Sequence, residues 1–196
     1  MNNTDRFKVK NQFKLILLLI VLLGFGACHR KERINVLTEE DKQEICNLDT
    51  PQKRDCFLEE IVDADQGIRN KDGYYIMKYG YYSHEYNQLN NNTIQLDLLN
   101  LQKIELYLEK YGHPTNSSSE KAIYTPWLII HHSATIEDRE KNFHYLYDAY
   151  RSGILKDGYF TNFMQRFYSL KNNRSFEPKE KNNEIEELVQ ALGIHE

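Results

Sequence analysis

The sequence predicts an all-α fold, a single irregular multi-helix bundle. Apolar residues beyond residue 38 recur three and four apart in nearly every segment, while two-residue alternation is almost absent. Helix start and stop residues flank those segments: Thr38 with Asp41 and Thr135 with Asp138 at starts, and Gly112, Gly153 and Gly193 at ends. No repeat of fixed period is visible, so a solenoid is not indicated.

A first helix is expected from Thr38, with Asp41 as its capping-box partner, to about Cys46. A second runs from about Pro51 to Arg69, with Phe57, Ile61, Ala64 and Ile68 on one face. From Asn70 to Thr93 the pattern dissolves into glycine, asparagine and six tyrosines. That stretch reads as a connector whose rings pack over the core, with a sugar-stacking surface as the other reading. Asn90 to Asn92 reads as a polar turn. A long helix then spans Thr93 to Tyr111, stopped by Gly112 and by Pro114 beyond it. Its stripe of Leu101, Ile104, Leu108 and Tyr111 also carries Asp97 and Asn100 one turn earlier. A carboxylate facing a core costs several kcal/mol unless it is paired, on the order expected for an uncompensated charge, so Asp97 requires a partner or a pocket.

His113 to Lys121 reads as a loop, and Thr125-Pro126 as the opening of a buried helix through Trp127, Ile129, Ile130, His131 and His132. Three further helices present Phe143, Leu146, Tyr147 and Tyr150, then Phe160, Phe163, Met164 and Phe167, and last Ile185, Leu188, Val189 and Leu192.

Ahead of this domain lies a different kind of segment. Arg6, Lys8, Lys10 and Lys14 precede an apolar run from Leu15 to Leu23, and Gly24-Phe25-Gly26-Ala27-Cys28 follows. The run from Leu15 to Ala27 holds 13 residues, short of the roughly 20 that a membrane-spanning helix needs. The segment resembles a bacterial lipoprotein signal, in which small residues precede a cysteine that receives lipid and becomes the new N-terminus. Phe25 stands where that signal usually has leucine. The expected organisation is a signal peptide over 1–27, a lipidated tether over 28–37 and a helical domain over 38–196. The chain is expected to sit in the cell envelope, held to a membrane through lipid on Cys28 and facing the periplasm or the outside.

Loss of residues 1–27 removes four basic residues and one acidic one, leaving 21 basic against 28 acidic residues, a net charge of −7. Such a surface repels phosphate backbones, so no nucleic-acid partner is expected and the partner class left is a protein or a small molecule. With Cys28 lipidated, Cys46 and Cys56 remain. They can bridge across a helical hairpin, a link contributing roughly 2.5–3 kcal/mol, or stay unpaired as small apolar residues.

Asp65-Gln66-x-x-Arg69, Asp97-x-x-Asn100, Ile129-Ile130-His131-His132-Ser133 and Gln165-Arg166, in this order, resemble an all-helical bacterial family catalogued as a domain of unknown function. The resemblance covers roughly residues 60–170 and implies an all-helical fold but no activity. The family pattern has aspartate where Gln165 stands, followed by a Tyr-Gly-Thr-Gln stretch; this chain has Lys171-Asn172-Asn173-Arg174 in that region.

On chemistry alone, Asp65, Gln66, Arg69, Asp97, Asn100, His132 and Arg166 are the candidate polar cluster. Asp65 and Arg69 lie four apart on a helix and can pair. His132 can act as a general base where Asp97 or Asp65 fixes its tautomer, or it can satisfy a core hydrogen bond. His131 and His132 point about 100° apart on a helix and make a poor metal pair, and no His-Glu-x-x-His pattern is present, so neither a metal nor a cofactor is expected. Two functions follow: a binding module with a buried polar cluster, or a hydrolase-like enzyme using His132 with an aspartate.

Overall fold

The computed structural model describes residues 37–180 and 183–194. The expected signal peptide, Cys28 and nearly all of the tether lie outside the described residues. Among the described residues every regular element is a helix: α1 (Glu39–Cys46), α2 (Pro51–Arg69), α3 (Asp72–Tyr79), α4 (His84–Tyr111), α5 (Glu120–His132), α6 (Ile136–Arg151), α7 (Asp157–Asn172) and α8 (Glu184–Leu192). None of these is long and apolar enough to cross a membrane.

Helix α5 sits at the centre, packed against α2, α4, α6 and α7. Its sequence explains that position: Ala122, Thr125, Pro126, Trp127, Leu128, Ile129, Ile130 and His131 are all buried, so the helix has almost no polar face to offer water. Around it, α2 and α4 pair on one side, while Phe160, Phe163, Met164 and Phe167 of α7 fill the other with no exposed surface. Helix α8 covers α7 through Ile185, Leu188 and Leu192.

The caps that the sequence announces are formed. Thr38 and Asp41 make a full capping box at α1, and the Thr135 hydroxyl accepts from the Asp138 amide at α6. Gly112 closes α4 with a φ of 70° and a ψ of −169°, an extended positive-φ conformation that only glycine readily adopts. Helix α6 begins just after Thr135 and ends before Gly153, and α8 ends just before Gly193.

Four expectations about the helices fail. The core face of α2 is Phe57, Leu58, Ile61, Val62 and Asp65, while Ala64 is exposed: the two larger aliphatic side chains win the core, and Asp65 turns inward with them. Helix α4 starts nine residues before Thr93, so Asn90 to Asn92 are exposed helix rather than a turn. The Ser83 hydroxyl caps it by accepting from the Tyr86 amide, and Leu89 with Thr93 supplies a buried edge that outweighs the weak helix preference of asparagine.

The tyrosine connector is also helical, as α3, and its rings do not pack into the core. Met77 is 81% exposed and Tyr82 90%, and Tyr74, Tyr79 and Tyr81 are exposed too; no residue of α3 is buried. Helix α5, finally, starts at Glu120 and carries Pro126 inside it. Ser119 caps that start by accepting from the Ala122 amide and bonds Glu59 of α2, which fixes the first turn before the proline is reached.

The Cys46–Cys56 bridge is not formed, and neither cysteine is a buried apolar residue; both are free and exposed. The carbonyl of Cys46 accepts from Lys110 and Tyr111 at the end of α4, which fastens the end of α1 to α4. Cys56 projects from the solvent side of α2, beside the inward Phe57 and Leu58.

Candidate functional site

Asp65 is the centre of the site. It stands on the core face of α2 with no exposed surface, and a buried carboxylate must be compensated by donors or charge. Three side chains do this. Gln66 Nε2 donates to Asp65 Oδ2 at 2.7 Å, Arg69 Nε donates to Oδ1 at 3.1 Å, and His132 Nδ1 donates to Oδ1 at 3.0 Å from the end of α5. Arg69 also reaches α4, where its Nη2 donates to Asp97 Oδ1 at 2.5 Å. One guanidinium thus joins two carboxylates from two helices, and one imidazole adds a third helix.

Different partners separate the two aspartates electrostatically. At Asp65, burial pushes the carboxyl up, but the hydrogen bond and charge of His132, the charge of Arg69 and the Gln66 bond outweigh it and hold the group below the ordinary carboxylate value. At Asp97, burial again pushes the carboxyl up, and there Arg69 does not fully offset it, while the Asp65 charge adds to the rise. The pair therefore holds a firmly ionised inner acid and a more readily protonated outer one.

The cluster is paired but not sealed. The side chains of His132, Asp97 and Arg69 keep 16%, 24% and 28% of their surface, while Asp65 below them keeps none. Because Nδ1 gives its hydrogen to Asp65, the His132 tautomer is set and Nε2 is the edge left for other partners. Asp65, Asp97 and His132 also each offer a ligand atom, with the three atoms within 4.8 Å of one another.

Five of the seven expected residues meet here: Asp65, Gln66, Arg69, Asp97 and His132. Asn100 is buried one turn beyond Asp97 on α4, and its amide nitrogen has no hydrogen-bond partner, so it neighbours the cluster in register without joining its bonds. Arg166 does not join the cluster. It is exposed on α7, makes no hydrogen bond or ion pair with Asp65 or Asp97, and its charge instead bears on His131 and Arg139. Helix α7 packs on α5 through its phenylalanine face, which turns Arg166 outward.

One half-buried histidine escaped sequence reading. Both ring nitrogens of His113, just past Gly112, are buried without a partner, and burial lowers its pKa to about 4. It lines a cavity of about 280 Å³ with Arg54, Tyr107, Lys110, Tyr111 and Ser117. Its place directly after the helix stop was the available signal, since such residues fold back over the last turn. No protein-family model, curated protein or solved structure matches the chain.

Proposed function

We propose that this is a lipid-anchored protein of the bacterial cell envelope whose helical domain binds a polar ligand at the open face of the Asp65–Arg69–Asp97–His132 cluster. The observation that carries this reading is the contrast in burial: a fully enclosed Asp65 positions an arginine and an imidazole whose outer edges, with Asp97, remain accessible. Fixing side chains from beneath is how a binding surface gains orientation before the ligand arrives. The accessible set offers both donors and an acidic acceptor, which suits a ligand with hydroxyl or amide groups. Membership of the uncharacterised helical family belongs to this proposal, on the residue order given above. So does the lipid anchor on Cys28.

A thermal-shift screen of sugars, amino acids and short peptides against the full-length chain tests the reading, with Asp97→Asn and His132→Gln alongside. A ligand that raises the Tm of the wild type and loses its effect in both variants supports it. Equal responses in all three chains reject the cluster as the site.

A second reading, hydrolase-like acid–base chemistry, is favoured by the His132–Asp65 hydrogen bond. A carboxylate on Nδ1 raises the basicity of the opposite nitrogen and holds it in place, as general-base catalysis requires. Turnover of ester, amide or glycoside substrates that falls at least 100-fold in His132→Gln, with the fold retained, would select this reading over simple binding.

A further inference from the structure

We propose that the same cluster binds one divalent transition-metal ion through Asp65, Asp97 and His132, with Arg69 acting as the exchangeable cation that holds the site when the ion is absent. This deepens, and rests on, the cluster being the ligand site. Three observations carry it.

The first is geometry: one carboxylate from α2, one from α4 and one imidazole from α5 place ligand atoms within 4.8 Å of one another. Two carboxylate oxygens and an imidazole nitrogen are donors suited to Mn²⁺, Fe²⁺ or Zn²⁺ rather than to Ca²⁺ or Mg²⁺. Three protein ligands also leave coordination positions open for water or substrate, the pattern of working rather than structural metal centres.

The second is support. Gln66 holds the far oxygen of Asp65, so the innermost ligand is oriented by a neighbour that does not itself ligate, as metal-binding carboxylates generally are. Asn100 is 3% exposed, lies one helical turn from Asp97 on the same stripe, and has an amide nitrogen with no protein partner. A buried orphan of this kind, one turn from a proposed ligand, calls for a partner that the protein itself does not supply.

The third is charge. Two carboxylates this close must share a cation, and Arg69 meets that need with a side chain that is more than a quarter exposed and tethered to α2 only by its flexible stem. A metal ion and the guanidinium compete for the same oxygens. To ligate through Nδ1, the neutral His132 ring moves its hydrogen to Nε2 by exchange with solvent, with no net change in bound protons.

The test is calorimetric titration of Mn²⁺ and Zn²⁺ into the EDTA-stripped full-length chain, in a Cys46→Ser, Cys56→Ser background that removes the exposed thiols. Binding at one ion per chain is expected, weakened at least tenfold in Asp97→Asn and in His132→Gln, each checked for its helical signal. Arg69→Gln separates this site from any other: removal of the competing cation tightens binding about tenfold or more. Absence of Mn²⁺ and Zn²⁺ binding, affinity unchanged in the Asp97 and His132 variants, or weaker binding in Arg69→Gln overturns the proposal. A retained ligand response in the thermal-shift screen without ion binding rejects the metal while leaving the ligand site standing.

Discussion

The two ends of the α2–α4 pair treat a buried titratable group in opposite ways. Toward the end of α2, Asp65 has no exposed surface and accepts from Gln66, Arg69 and His132. At the other end, where α2 begins and α4 stops, both ring nitrogens of His113 are buried without a partner. The cations there, Arg54 and Lys110, stack on the Tyr111 ring and donate to the carbonyls of Leu48 and Cys46, so they fasten the end of α1 and its turn instead of pairing with the histidine. Asp97 and Tyr111 are about 21 Å apart along α4, at 1.5 Å per residue, so the two ends are electrostatically independent at physiological salt. A carboxylate cannot easily shed its charge at neutral pH and recruits donors. An imidazole can stay neutral, and burial settles it in that state.

The largest consequence falls on the paired end. Asp65→Ala leaves Arg69 and His132 without their shared acceptor and should cost about 3–5 kcal/mol of stability in urea unfolding. A loss below about 1 kcal/mol would mean that the three donors do not depend on it.

Acid acts on the unpaired end from pH 6.5 downward, as it does on buried His131 of α5, whose pKa burial lowers to about 3. The folded chain holds His113 neutral down to about pH 4, whereas the unfolded chain protonates it near 6.5. Over that window the unfolded state binds more protons, so stability falls as pH falls, by about 3 kcal/mol in total from this group. Urea unfolding of His113→Leu should show a pH dependence flatter by that amount between 6.5 and 4. Asp41, whose pKa is lowered to about 2 chiefly by the Thr38 hydroxyl and amide, loses its contribution only in more acidic solution, which keeps the two effects apart. An unchanged slope in the variant would place the acid sensitivity elsewhere.

Gly112 sets the turn that delivers His113. Beyond its chain neighbours no atom lies within 4 Å of where a Cβ would stand, so Gly112→Ala meets only the backbone cost of a φ of 70° with an extended ψ, about 1–3 kcal/mol, readable as a drop in Tm. A much larger loss would show that the loop is packed more tightly than its geometry indicates. Least affected is the tyrosine-bearing region, which belongs to neither end's packing: Tyr82→Ala should change stability by under about 0.5 kcal/mol in the same urea assay.

Much of this was legible in the chain. Asp97 and Asn100 on an otherwise apolar stripe announced a polar meeting point, and the Asp65–Arg69 spacing announced a pair. The inward turn of Asp65 was not legible from a face drawn through Ala64 and Ile68, because that face ignored the larger Leu58 and Val62. A reading along Phe57, Leu58, Ile61 and Val62 would have carried Asp65 into the core. Arg166 followed Gln165 in the residue order that suggested a site, yet order along the chain does not fix the direction in which a helix turns.

Local chemistry along the chain determined the helical class, the caps at Thr38 and Thr135 and the stop at Gly112, because hydroxyl–amide bonds and backbone freedom act over a few residues. The buried edge that keeps the asparagine stretch helical was decided by the tertiary structure, as were the early start of α5 and the choice among the acids that shares Arg69. Those outcomes depend on residues dozens of positions away: His132 meets Asp65 across 67 residues and Arg69 meets Asp97 across 28. Periodicity carries no record of such pairings, since it encodes which face of a helix is apolar and not which helix will lie against it.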